Sequence, residues 1–176
     1  MKIPVISRPA EDEYFAYYGG YVSKVEGDDL LKTLRSRCAF VEELYSSISD
    51  EQSLYRYAEG KWSIRELLGH LIDTERIMAY RALRFARADG NELAGMEQDD
   101  YILNANFDDC CWPDLIAEFL LLRRSHILMF GQFPEAAWDR RGVANDHEIS
   151  VRALGYIVAG HEIHHTNILL ERYLGR

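Results

Sequence analysis

The sequence predicts an all-α protein, a four-helix bundle with a long connection between its second and third helices. Three observations carry this reading. Four long segments repeat apolar residues at three- and four-residue steps, and no segment sustains a period of two. Start and stop residues suited to helices bracket those segments. No 20–50-residue repeat and no low-complexity stretch interrupts them, which excludes solenoids. At 176 residues the chain is expected to form one domain, residues 1–176, with a core that needs no disulfide or metal to fold.

Residues 1–27 are expected to form an extended N-terminal arm packed on the bundle. YFAYYGGYV has strand-like composition, but a strand without a partner is unstable. The first helix runs from about Asp28 to Ser47 on Leu30, Leu34, Cys38, Val41, Tyr45 and Ile48, capped by Asp28 or Asp29. The second begins at a capping box, Ser63-Ile64-Arg65-Glu66, with Trp62 placed to pack on its first turn. Ile64, Leu67, Leu71 and Met78 carry it to about Arg87, where Ala88-Asp89-Gly90-Asn91 breaks the pattern.

The connection from Gly90 to Cys111 is long for a compact domain, and loops of that length tend to be functional. Pro113 suits the first position of a third helix. Leu115, Ile116, Phe119, Leu122, His126, Phe130 and Phe133 follow on its inner side, and it stops before Pro134. A polar turn region with Gly142, Asn145 and Asp146 leads to Ser150, which caps the last helix. Leu154, Ile157, Val158, His161, His165 and Ile168 form the inner stripe of that helix, and Gly175 is placed to end it.

Hydrophobic residues make up 48% of the chain and charged residues 28%, a globular composition. Asp and Glu number 29 against 20 Lys and Arg, a net charge of -9. That balance, without a basic stripe, argues against nucleic acid and anionic membrane surfaces as partners. No stretch approaches the roughly 18 apolar residues of a membrane span. The N-terminus lacks a signal-peptide pattern, and three cysteines, Cys38, Cys110 and Cys111, make no disulfide framework. The expected location is the cytoplasm. Cys110 and Cys111 read as small buried apolar residues more readily than as reactive thiols. The many aromatics could furnish a face for a homodimer.

His161 and His165 lie one turn apart on a single helical face, a spacing that offers two imidazoles to one metal ion. Two imidazoles inside an apolar stripe are hard to explain as packing, because each needs polar partners. His164 is also a same-face neighbour of His161, but the stripe continues through His165. His70 sits among Leu67, Leu71 and Thr74 on the inward face of the second helix, and bundles build metal sites from such facing positions. Three imidazoles leave positions open for water or substrate. His126, on the apolar side of the third helix, reads as a core residue more readily than as a fourth ligand, and His147 as an exposed loop residue. Asp73, Glu75 and Glu162 are candidate acid/base or supporting groups, with paired surface charge as the alternative for each. His161-Glu162-Ile163-His164-His165 matches H-E-x-x-H, the zinc-peptidase helix, but no sheet edge is expected to hold a peptide.

Residues 60–87, GKWSIRELLGHLIDTERIMAYRALRFAR, and residues 155–173, GYIVAGHEIHHTNILLERY, resemble the DinB-like family. RPAEDEYFAYYGGYV and DDYILNANFD resemble one bacterial branch of it, so the likeness spans nearly the whole chain. The resemblance implies a four-helix bundle with a metal held by one histidine of the second helix and an H-x-x-x-H pair of the last. Those positions fall on His70, His161 and His165. It implies an enzyme of small molecules, a metal-dependent hydrolase or a thiol S-transferase with a low-molecular-weight thiol such as bacillithiol or mycothiol, with a related isomerase among the members. Imidazole ligands suit zinc or nickel as its one divalent ion. A non-catalytic metal- or ligand-binding module is the alternative. Many members follow the doublet with Arg-x-Gln, whereas Thr166, Asn167 and Ile168 follow it here.

Overall fold

A computed structural model describes residues 5–176. The first four residues of the expected arm lie outside this description. Seven helices are described: α1 (Gly19–Val22), α2 (Leu30–Ser46), α3 (Asp50–Ser53), α4 (Ile64–Ala86), α5 (Gln98–Ala105), α6 (Trp112–Gly131) and α7 (Val151–Ile168). The four long ones, α2, α4, α6 and α7, form the bundle, and their ends follow the chemistry of their caps. Asp29, rather than Asp28, accepts from the Lys32 amide, and Ser63 and Glu66 close the capping box at α4. Ser150 accepts from the Ala153 amide at the start of α7, and a π-turn (Leu169–Tyr173) followed by Gly175 at φ +63° ends that helix.

Around the bundle, α4 packs against α7 and α6, and α2 packs against α6 and α7. Consecutive helices α2 and α4 therefore stand on one diagonal, and α6 and α7 on the other. This connectivity places α4 beside α7 although most of the chain separates them.

Three expectations about the course of the chain need correction. The N-terminal arm is not extended throughout: Glu11–Glu13 and Ala16–Tyr18 form 3₁₀ turns, and α1 packs on α7. That packing satisfies backbone groups that an unpaired strand would leave bare. Its closest point is Gly160, where an added Cβ would collide with the Tyr21 carbonyl. The Gly90–Cys111 connection is not a plain loop, since it contains α5 and a 3₁₀ turn, Phe107–Asp109, whose Phe107 ring covers Gly69. Its Gln98–Ala105 segment buries only Ile102, too little apolar surface to show a periodic stripe. The turn region before α7 is a hairpin, β1 (Arg141–Ala144) paired antiparallel with β2 (His147–Ser150). Asn145 and Asp146 both have positive φ, as the two-residue turn of a hairpin requires. Four-residue strands are too short to display alternation. His147 consequently lies on β2, stacked on Phe15 at 3.8 Å between ring centroids.

The bundle holds two apolar clusters, one at each end. One gathers Leu30, Leu34, Ala82, Phe85, Phe130, Leu154 and Ile157; the other gathers Val41, Tyr45, Leu67, Leu71, Phe119 and Leu169. Between them every long helix contributes a polar turn: Arg37 from α2; His70, Thr74 and Glu75 from α4; Arg123 from α6; and His161, Glu162, His165 and Thr166 from α7. Cys38 is buried, but Cys110 is half-buried and Cys111 exposed at the start of α6, contrary to the expected burial of that pair.

Candidate metal centre

The polar layer divides into two halves. In the half that opens on a cleft, His70, His161 and His165 each present a ring nitrogen within 4.8 Å of the others. The Nε2 atoms of His70 and His161 are 3.0 Å apart, and the His165 ring lies 4.8 Å from that of His70 between centroids. All three are nearly inaccessible, at 3%, 7% and 9% exposure. The face argument selected these three residues, and the fold brings them together.

Burial favours the neutral imidazole, so the three rings are ready to act as ligands at neutral pH. Desolvation pulls His70 down to about 4 and His165 to about 3, the latter helped by His70 and His164. His161 is held well below its ordinary value by burial and then by the neighbouring histidines. The Nδ1 of His165 is buried with no hydrogen-bond partner, and the facing Nε2 atoms of His70 and His161 have lone pairs to offer. Three neutral imidazoles converging with an unpartnered nitrogen fit a divalent cation, since imidazole suits zinc, nickel and related ions. Thr74 Oγ1 stands 3.5 Å from His70 Nδ1, a long contact on the side of the ring away from His161. Trp62 and Tyr21 flank the group, 4.9 Å from His70 and 5.2 Å from His161 between ring centroids.

The second half is a sealed ionic network. Arg123, fully buried, donates from Nε and Nη2 to Glu75 at 2.8 Å, and His126 Nδ1 lies 3.2 Å from the same carboxylate. Burial alone would raise the Glu75 carboxyl, but Arg123 and His126 outweigh it and hold Glu75 below the usual range. Glu162 accepts from Arg37 through both carboxylate oxygens, at 3.0 and 2.8 Å, and from Thr166 at 2.7 Å. An internal space of about 10 Å³, bounded by Thr74, Arg123, His161 and Glu162 among others, joins the two halves. It has room for about one water, and Arg123, whose buried Nη1 makes no hydrogen bond and stands 3.9 Å from Glu162, lines it.

These contacts locate the three candidate carboxylates. Glu75 and Glu162 are committed to arginines in the sealed half, so Glu162 is not placed as the free base of a peptidase helix. Asp73 lies outside the cleft lining on the half-exposed side of α4, 3.7 Å from Arg76. His164 stands at the edge of the α7 stripe against Tyr21, and neither it nor His126 belongs to the converging group.

The cleft has a volume of about 390 Å³, the size of a small-molecule site. Its floor includes His70, Thr74 and His161, and its walls include Tyr17, Tyr18 and Tyr21 of the N-terminal segment, Arg81 of α4 and Gln98 of α5. The sequence reading missed Arg81 and the tyrosines. A signal for Arg81 existed, because His70, Thr74, Ile77 and Arg81 continue one face of α4 at helical steps. Arg123 was missed too, although a charge four residues after Phe119 in an apolar stripe marks a buried ion pair.

No curated protein sequence matches the chain. Among solved structures, YfiT from Bacillus subtilis, described as "a probable metal-dependent hydrolase with an unusual four-helix bundle topology", superposes with a TM-score of 0.68 at 16% identity. The match covers 97% of this chain and 94% of that one, and it shows the shared fold. The sequence profile of the DinB superfamily matches residues 24–169, which include α2, α4, α6, α7 and all three converging histidines. On that match the chain belongs to the DinB superfamily.

Proposed function

We propose that this protein is a metal-dependent enzyme of small molecules, holding one divalent ion, zinc or nickel, through His70, His161 and His165. The observation that carries the reading is the convergence of three neutral, buried ring nitrogens within 4.8 Å, with His70 and His161 lining the floor of a cleft. A bound ion would supply Lewis acidity, able to lower the pKa of water for hydrolysis or of a low-molecular-weight thiol for S-transfer. The chain's own residues supply the rest. The histidines need no deprotonation to bind, because burial already keeps them neutral. Arg123 pairs with Glu75 of α4 and also faces Glu162 of α7 at 3.9 Å, so the two ligand-bearing helices share one ionic partner, and Arg37 holds Glu162 from α2. Tyr18 and Tyr21 limit water at the cleft wall. The three unpaired thiols fit the reducing environment of a cytoplasmic protein.

Metal analysis of purified protein tests the reading. It should find close to one zinc or nickel ion per chain, lost in His161→Ala. Protein that is metal-free and takes up neither ion would sink it. Turnover on a panel of esters, amides and thiol–electrophile pairs then tests the enzyme. Metal-dependent melting with no turnover on that panel would support the non-catalytic module instead.

A further inference from the structure

Three arginines are buried among the described residues, Arg65, Arg81 and Arg123. Two of them have an internal carboxylate: Arg65 pairs with Asp50 at 2.7 Å and Arg123 with Glu75 at 2.8 Å. Arg81 has none. Its Nη2 donates to the Ala94 carbonyl at 2.6 Å, its Nη1 meets the weak acceptor Met78 Sδ at 3.6 Å, and the Tyr18 hydroxyl is a further, uncharged hydrogen-bond partner. The Tyr18 phenol beside it is neutral, and burial keeps that phenol so. Glu97 also lines the cleft, but it is exposed at the rim and makes no ion pair with Arg81. A buried cation without an anionic partner is costly, because its desolvation is not fully repaid. Arg81 keeps that cost at a wall of the same cleft whose floor includes His70 and His161, in a chain of net charge -9.

We propose that Arg81 is the recognition group for an anionic substituent, a carboxylate or phosphate, on the small molecule that occupies this cleft. The inference rests on the metal-enzyme reading and narrows its substrate class. Arg81 follows His70 by eleven residues, a rise of about 16 Å along α4. Both side chains lean toward the helix N-terminus, and the longer arginine reaches further, so the guanidinium lies closer to the histidine group than the backbone rise. The substrate is therefore elongated, with its reacting bond over the histidines and its anionic end on the guanidinium. The guanidinium of Arg81 suits a planar oxyanion, which it can grip through more than one N–H. A neutral analogue of equal shape would leave the guanidinium desolvated and unpaired.

Suberic acid monohydroxamate tests this on zinc-loaded protein by calorimetry, since its hydroxamate end binds zinc and its carboxylate reaches along the cleft. It should bind roughly ten- to a hundred-fold tighter than the same hydroxamate ending in a neutral amide, the range expected for hydrogen bonds to a charged group. In Arg81→Met that preference should vanish, the acid binding no tighter than the amide. A phosphonate-ended probe identifies the favoured anion by whether it exceeds the carboxylate, and preference for either over the amide supports the proposal. Equal binding of acid and amide by the wild type overturns it without any variant, and so does a preference that survives in Arg81→Met. If the protein takes up no metal, the metal reading alone fails. Octanoate against octanamide on metal-free protein then decides for Arg81 by the same criterion.

Discussion

At the scale of single residues, the polar layer sets what substitutions cost. Arg123→Met would leave Glu75 buried with only His126 beside it. Breaking a buried pair from one side costs about 3–5 kcal/mol. Urea denaturation should show that loss, and adding Glu75→Gln to Arg123→Met should recover part of it, because the orphaned charge is then gone. The histidines fix the response to acid. Folded His70 and His165 titrate far below the ordinary 6.5, so between about pH 6.5 and pH 3–4 the unfolded chain binds more protons than the folded one. Metal-free protein is therefore stable above pH 6.5 and loses stability as the pH falls through that window, about 3 kcal/mol from His70 alone once below pH 4. Glu75, held low by Arg123 and His126, adds a loss of the same sign at the acid end. Urea midpoints at pH 7.5 and pH 4.5 check the sign, and an unchanged midpoint would contradict the burial of these rings.

At the scale of elements, glycine fixes how the N-terminal segment meets the bundle. A methyl group at Gly160 meets the backbone of Tyr21 rather than a side chain that can swing away. Gly160→Ala should lift α1 from α7, cost about 1–3 kcal/mol as an overpacked contact, and hasten amide exchange across residues 16–23. Because Tyr21 also flanks His161, the same variant should loosen the cleft wall without touching a ligand. The elements also show where the sequence was readable. The long helices were legible because each has a wide apolar stripe and chemically distinct ends, such as the Ser63–Glu66 box and the Ser150 cap. The hairpin and α5 were not, because four-residue strands and a helix with one buried side chain leave no periodic trace. The histidine group was legible as two faces, one on α4 and one on α7. The Arg81 guanidinium was not, because its significance is a missing carboxylate, and pairing is decided by tertiary neighbours that no local spacing reveals.

At the scale of the whole molecule, a polar layer divides the core, and a ligand bound there strengthens a bundle otherwise held from its two ends. Zinc at about a thousand times its dissociation constant should add about 4 kcal/mol to the wild type. Differential scanning calorimetry should show a raised Tm that chelator reverses, and His165→Ala should show neither effect. A Tm indifferent to zinc and chelator would leave the histidine layer without a stabilising ion. The diagonal connectivity gives this a kinetic side. His70 and His161 are 91 residues apart in the chain yet 3.0 Å apart in the fold, so their meeting closes a long loop. No stretch ending before α7 can assemble the group, however well its own helices form. An ion that binds only after α7 has docked acts after the slow step of folding. It prolongs the life of the folded state by slowing escape, and it leaves the rate of arrival to the chain itself.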